Sequence, residues 1–426
     1  MEKPKFILDS LLDNSIEDLK KILYKNGILY KDYTDDNLLL IYHKYNTPVK
    51  NFLVKESRSL VIDKNTKKII SYSCEIPNII NDQDSFSFYL NKIKENNSNE
   101  NSCYATECYE GSLLSVFYIN DKWYISTRRC LNSKDSKFNE KSHYDLFEDI
   151  ILSSNNTIND FYDKLDKDKS YYFVLLHHLN KNIIDYSIKF NNKEYKYLCL
   201  ISIRDNNLNE IDLYNNDNTF LCSNIFIPPI KTDFNDLYYK NYNHVPLKEG
   251  IIIKNWNYLT NKYNLIKILY KNYLFHHASI NNNIFRGLIY LYQTNELNYY
   301  LKLNPIFLKI NEFNTLDIIN NIFKVMTSEI LQLFKNILKN SLNSKLLPIE
   351  YRNIIYFFKS FKNTDYSRLT LSYINNYLKN LNNTILINLI LSRNKLFEYD
   401  EFKNISCYNT EDKLNLFKIG YDKINQ

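Results

Sequence analysis

Glycine is the residue this chain most conspicuously lacks. Five occur in 426 residues, where ordinary usage of about 7% would place roughly 30. They are Gly27, Gly111, Gly250, Gly287 and Gly420. Glycines that survive such pressure should sit where turn geometry or close backbone approach leaves no room for a side chain. Two share one setting: Glu110-Gly111 runs into SLLSVFY, and Glu249-Gly250 runs into IIIK. Long apolar runs are missing as well. No stretch approaches about 18 uninterrupted apolar residues, which argues against a transmembrane helix. The opening MEKPKFILDSLLDN carries no apolar segment suited to a signal peptide. The seven cysteines (Cys74, Cys103, Cys108, Cys130, Cys199, Cys222 and Cys407) are odd in number and form no C-x-x-C pair. That argues against a disulfide framework or a zinc site and points to a reducing compartment. The expectation is a soluble cytoplasmic protein with no membrane association.

What the chain has in excess is Asn, Ile, Lys and Tyr, spread evenly along its length, a pattern that reads as codon bias. With 38 Tyr and 25 Phe, aromatic–basic interleaving of the kind that binds single-stranded RNA carries little information, and a Tyr-rich core is the plainer reading. The balance of 54 basic and 48 acidic residues gives a net charge of +6. That permits nucleic-acid binding but falls short of the pI above about 9 that marks a basic footprint. A hydrophobic fraction of 44% is enough for a sizeable core, and the length suits two or three domains.

Periodicity divides the chain. Residues 1–50 read as a helical segment, with Leu11, Leu12, Ile16, Leu19, Ile22 and Leu23 near helical spacing. RSLVID at 58–63 and IISYSC at 69–74 read as strands joined by the turn KNTKK. Ser112–Ile119 and Lys122–Arg129 read as a hairpin about Asn120-Asp121. Further β-rich runs are 171–176, 182–189, 195–203 and 250–254. From about 305 the period becomes helical, through Ile319, Ile322, Phe323, Met326, Ile330, Leu333, Phe334 and Ile337, with Thr315 as a candidate N-cap. More helix follows at 349–361 and 370–395. Strands followed by helices give an α+β class: an N-terminal helical segment at 1–50, an antiparallel β-sheet domain at 51–303, and an all-helical C-terminal domain at 304–426.

Several short motifs fall in a fixed order: ESRSLVID at 56–63, ATECYEGSLLSVF at 105–117, KWYISTRR at 122–129, YYFVLL at 171–176, KEGIIIK at 248–254, YNLIKILY at 263–270 and FRGLIYLYQ at 285–293. This set resembles the covalent nucleotidyltransferase superfamily of RNA ligases, DNA ligases and mRNA capping enzymes. It looks most like the phage-type RNA ligases and their relatives in large DNA viruses. The resemblance spans roughly residues 55–395. It implies the ligase and capping-enzyme fold, with ATP and Mg²⁺ or Mn²⁺ as cofactors and RNA as partner. In that chemistry a lysine attacks the α-phosphate of ATP, the adenylyl group passes to an RNA 5′-phosphate, and a 3′-hydroxyl displaces it. The attacking amine must be uncharged, and metal and basic side chains offset the phosphate charge.

The resemblance assigns roles residue by residue. Its first motif, K-x-(D/E)-G, stands here as Cys108-Tyr109-Glu110-Gly111, so Cys108 holds the position of the nucleophilic lysine. Glu110 and Gly111 are retained toward the ribose. Arg58 and Arg128 match basic positions near ribose and phosphates, although Ser59 replaces a family glycine. Phe173 matches the aromatic that stacks on adenine, but the carboxylate expected just after it is replaced by Val174, Leu175 and Leu176. Glu249 matches the acidic, metal-facing position. Lys254 and Lys267 match phosphate-facing lysines, with the last K-x-K reduced to Leu265-Ile266-Lys267. The residue types leave two readings of Cys108: a small buried strand residue with no chemical role, or the mark of an impaired ligase, a pseudoenzyme. Another lysine, such as Lys122, could supply the amine. The alternative is a non-catalytic protein that keeps the fold to bind nucleotide, RNA or a protein partner, the last through the C-terminal helices. His177-His178 and His276-His277 read as structural histidines, and Lys271 and Arg286 as candidate phosphate-groove residues.

Overall fold

A computed structural model describes residues 6–43, 51–80, 87–89, 91, 103–138, 140–180, 183–214, 222–231, 247–257, 262–279, 283–339, 342–360, 369–398 and 411–425. The chain divides into two compact units, Met1–Tyr273 and Leu274–Gln426. The division falls within the helix Lys271–Ala278, so the boundary near 303 read from the sequence lies inside the second unit.

The first unit holds three main sheets, antiparallel except for one short parallel pairing in each of two of them. One is a four-stranded meander, β1 (Ile28–Tyr33), β2 (Leu38–His43), β3 (Leu60–Asp63) and β4 (Lys68–Tyr72). The sequence reading expected helix throughout 1–50. Helix α1 (Ile16–Lys25) is present, but residues 28–43 form a hairpin turned at Asn37, whose φ is 54°. The reason lies in Leu38–Ile41, four consecutive residues fully buried between two neighbouring strands. An unbroken apolar run of that length is ambiguous in sequence.

A second sheet contains β5 (Asn78–Ile79), β6 (Cys103–Cys108), β13 (Gly250–Asn257) and β14 (Lys262–Leu269), ordered β5-β14-β13-β6. The third has β7 (Ser112–Ile119), β8 (Lys122–Thr127), β9 (Lys169–His177), β10 (Lys196–Asp205), β11 (Glu210–Ile211) and β12 (Ile225–Phe226), with β8 at one edge. The β7–β8 hairpin turns at Asn120 and Asp121, both left-handed with φ 52° and 59°. That is the two-residue turn its Asn-Asp pair suggests. Helices α2 (His143–Leu152) and α3 (Ile158–Asp163), each opened by a capping box, cover one face of this sheet.

Strand alternation decides what each face meets. On β9, Phe173 and Leu175 face the core under α2 and α3, with Leu114, Phe147 and Phe161. Val174 and Leu176 face the opposite way, against Ala105, Ile251, Ile253 and Ile266 of the second sheet. The six-stranded sheet is thus buried on both sides, and the second sheet is pressed tightly against it. An added Cβ at Gly111 would lie 2.4 Å from the Leu175 carbonyl oxygen, and one at Gly250 would lie 2.0 Å from that of Ile268. Both Glu-Gly pairs therefore mark close backbone approach, as the scarcity of glycine suggests.

The β-rich run at 182–189 is not a strand over its described residues: Ser187–Phe190 is a short helix. The backbone N–H groups of Ile183 and Ile184 donate to the Glu110 carboxylate at 2.9 and 2.8 Å rather than to a neighbouring strand.

In the second unit α4 (Lys271–Ala278) leads into α5 (Ile284–Gln293), α6 (Leu297–Leu303), α7 (Thr315–Leu338), α8 (Ile349–Ser360), α9 (Leu371–Asn380), α10 (Asn383–Ser392) and α11 (Glu411–Asn425). The long α7 buries the whole predicted stripe from Ile319 to Ile337. Its cap is Asn314, which accepts the Leu316 N–H at 2.8 Å. Thr315, the expected cap, instead donates its hydroxyl to the Phe307 carbonyl. Among the described residues no helix is long and apolar enough to cross a membrane.

Gly250→Ala should lower stability by about 1–3 kcal/mol through overpacking against Ile268, read as a reduced urea midpoint at unchanged slope.

Candidate functional site

Register brings the motifs together. Cys108 on β6 pairs with Gly250 on β13, and Ile252 on β13 pairs with Lys267 on β14. Cys108, Lys254 and Lys267 therefore share one face of the second sheet. Glu249, one residue before β13, reaches over that face. The Cys108 thiol donates to Glu249 Oε2 at 2.9 Å, and the Lys267 ammonium pairs with Glu249 Oε1. Three positions, two of them 141 residues apart in sequence, thus meet on one carboxylate that is only 6% exposed.

The electrostatics follow from that contact. Burial pushes the Cys108 thiol well above its ordinary value, and the Glu249 charge pushes it further. Burial alone would lower Lys267, but Cys108 and Glu249 outweigh it and hold the ammonium above its ordinary value. At neutral pH Cys108 stays a thiol and Lys267 an ammonium. Neither the thiol nor the ammonium is in its nucleophilic form.

A cavity of about 270 Å³ opens beside this group, lined among others by Cys108, Tyr109, Tyr186, Lys189 and Glu249. Glu107 stands at its wall, paired with Lys189 at 2.9 Å and accepting the Tyr109 hydroxyl at 2.7 Å.

A second group is strongly basic. His43, the last residue of β2, feels the charge of Arg58, and Arg58 donates to the Cys74 sulfur at 3.3 Å. His43 is lowered to about 4 by burial and by Arg128, with Arg58 and Arg129 adding to the effect. Among the described residues its buried Nδ1 has no hydrogen-bond partner. Arg58 also bears on Lys267, so this group adjoins the first. His43 and Arg129 were missed in the sequence reading. Arg129 had a visible signal in the Arg128-Arg129 pair, whereas His43 had none.

The other expected site residues are occupied elsewhere. Glu110 uses both carboxylate oxygens structurally. Oε2 accepts the Ile183 and Ile184 N–H groups, and Oε1 accepts the Tyr273 hydroxyl at 2.9 Å. Lys254 donates to the Ile201 carbonyl at 2.9 Å and pairs with Glu210 at 2.8 Å. Glu210 in turn pairs with buried Arg204 at 3.1 Å. Burial alone would raise Glu210, but Lys254 and Arg204 hold it below the usual carboxylate range. Phe173 is fully buried beneath α2 and α3 and so cannot stack on a ligand. The strand pleat turns Val174 and Leu176, not Phe173, toward the second sheet. His177 donates its Nε2–H to the Asp149 carboxylate at 3.0 Å, its Nδ1 accepting the Leu179 N–H. The rings of His177 and His178 stack at 4.5 Å, because the chain leaves the strand at His178. Arg286 caps the end of α11 by donating to the Ile424 carbonyl at 3.1 Å, and Lys122 is paired with Asp36 at 2.5 Å.

The donor set bears on metal binding. Among the described residues no group of three or more His, Cys, Asp or Glu side chains could hold an ion. Glu249 is a single carboxylate with both oxygens engaged. Such a position suits an ion that arrives with nucleotide phosphates rather than a resident one.

No known family profile matches the chain. Its sequence is 27% identical over 342 residues to a probable serine/threonine-protein kinase of Dictyostelium discoideum, covering 73% of this chain and 22% of that protein. The chain thus spans under a quarter of that relative's length. Among solved structures, one similar chain is a provisionally assigned ATP-dependent DNA ligase from Aquifex aeolicus. It has a TM-score of 0.42 and 14% identity, over 68% of this chain and 74% of that one. Another is an archaeal ATP-dependent RNA ligase, with a TM-score of 0.38 and 9% identity, over 68% of this chain and 69% of that one.

Two outcomes are expected. Glu110→Ala should cost about 2–4 kcal/mol, since it strands buried N–H donors, and should lower the urea midpoint with or without nucleotide present. Cys108 should react with iodoacetamide at pH 8 far more slowly than free cysteine, because so little thiolate forms; peptide mapping over a time course measures this.

Proposed function

We propose that this chain is a divergent RNA ligase-like nucleotidyltransferase that keeps a pocket for ATP and RNA ends but no longer forms an adenylate at position 108. The observation that carries the reading is the meeting of Cys108, Glu249 and Lys267 on one carboxylate. These are the three positions that the resemblance names as nucleophile, acidic and phosphate-facing residues. The adjoining His43, Arg58, Arg128 and Arg129 group supports it, since a concentrated positive charge beside a cavity suits a polyphosphate or a nucleic-acid end.

In this reading Lys267 and Arg58 hold the nucleotide phosphates. An entering phosphate competes with Glu249 for the Lys267 ammonium. A divalent ion carried by the nucleotide would offset phosphate charge beside Glu249. With a thiol at position 108 there is no amine to form the phosphoramidate, so binding proceeds without group transfer. Cytoplasmic RNA is the proposed partner. A kinase reading lacks support in the chain itself: its nearest pair of glycines is Gly250 and Gly287, so the glycine-rich loop that covers ATP phosphates in kinases is missing.

The test is incubation with ATP and Mg²⁺ or Mn²⁺, followed by intact mass, for the native chain and for Cys108→Lys. The native chain should bind ATP in equilibrium dialysis and carry no AMP. The variant should gain one AMP, mapped to position 108. An adduct on the native chain would show that another lysine has taken over. Absence of both ATP binding and adduct in the two proteins would end the proposal.

A further inference from the structure

A second cavity, of about 400 Å³, lies at the β8 edge of the six-stranded sheet. Tyr33, Trp123, Tyr144, Tyr162, Lys122 and Lys134 are among its lining residues. Its aromatic rings are organised. Trp123 stacks on Tyr162 with centroids 5.4 Å apart and planes 7° apart, and Tyr118 meets Trp123 edge-on at 5.3 Å. Lysines lie over three rings at this edge: Lys122 is 4.8 Å from Tyr124, Lys134 is 4.3 Å from Tyr144, and Lys167 is 4.5 Å from Tyr118. Lys122 is neutralised by Asp36. Among the described residues Lys134 forms no ion pair with a carboxylate, and it is exposed at the rim.

A Tyr-rich chain places aromatic residues in its core by composition alone. Trp123, Tyr144 and Tyr162 are half-buried against the core beneath α2 and α3, but they also line open space bordered by cations. Stacked rings flanked by lysines offer a π-face to a base and a positive charge to the phosphate beside it, the two features shared by single-strand binding sites. Sequence separates this cavity from the Cys108 group, and none of its lining residues belongs to that group.

We infer that the Trp123–Tyr162 platform with Lys134 is a binding site for an unpaired nucleotide of single-stranded nucleic acid, distinct from the nucleotide pocket at Cys108 and Glu249. It rests on the proposed function only in taking nucleic acid as the partner. A strand held here by one base and its phosphate would be retained without sequence readout.

The chain has two tryptophans, Trp123 and Trp256, so Trp256→Phe leaves Trp123 as the sole indole reporter. Titration of that protein with oligouridylate and with oligothymidylate of about ten nucleotides should quench Trp123 fluorescence. Lys134→Ala, at an exposed position, should weaken binding about tenfold and lower the salt dependence by about one phosphate contact. Tyr162→Leu, which keeps an apolar partner for Trp123, should weaken binding by a similar factor at unchanged salt dependence; circular dichroism checks its fold. The inference fails if neither oligonucleotide binds. It fails equally if they bind without quenching Trp123, or with affinity and salt dependence unchanged in both variants. ATP dialysis on the same proteins keeps the two sites apart: lost ATP binding with intact oligonucleotide quenching would sink the Cys108 pocket and leave this site standing.

Discussion

The first unit's candidate site depends on one carboxylate. Glu249 is nearly buried, and a buried charge persists only when it is paired and hydrogen-bonded. Lys267 supplies the charge and Cys108 the second hydrogen bond, and the contact keeps Cys108 a thiol and Lys267 an ammonium. With a lysine at position 108 two ammonium groups would compete for Glu249, and mutual repulsion would favour a neutral amine on one of them. With a thiol there is no such competition, and Lys267 stays charged. A Cys108→Lys change would thus alter the electrostatic state of the whole group.

The same economy shows in other buried charges of the first unit. Glu110 ties the segment at 183–184 and Tyr273 to the start of β7. Lys254 and Arg204 together balance Glu210 beneath the second sheet. Both arrangements are buried or nearly so, and both are fully engaged without a ligand. A ligand group would have to displace a made contact to use them. Arg58, Arg128, Arg129 and His43 differ in charge rather than in engagement. Like charges are gathered there, and His43 remains neutral because burial and its arginine neighbours disfavour its proton. Such a group gains from an anion, whereas the Glu110 and Glu210 arrangements do not.

Close packing sets where these groups can stand. Gly111 and Gly250 let the backbones of β7 and β13 approach carbonyls of β9 and β14. Each follows a glutamate, so the two acids are delivered at the points of tightest contact, where side chains have least freedom. A fixed geometry of this kind is what a binding site requires of its scaffold.

The sequence by itself determined the local elements whose signal is local. The Asn120-Asp121 hairpin, the β3–β4 turn and the stripe of α7 were legible because turn chemistry and helical period act between neighbours. So was the significance of the two Glu-Gly pairs, since glycine had been removed almost everywhere else. Only the tertiary structure decided the rest. Leu38–Ile41 became strand because two neighbouring strands cover it, and 183–184 failed to become strand because a carboxylate 73 and 74 residues away took its donors. Phe173 went to the core and Val174 to the facing sheet through the pleat of β9, which no motif match can orient. The pairing of Cys108, Glu249 and Lys267 needed three strands in one register. Contacts between distant segments are set by how faces pack, and a linear pattern records the residues that can pack without recording which of them meet.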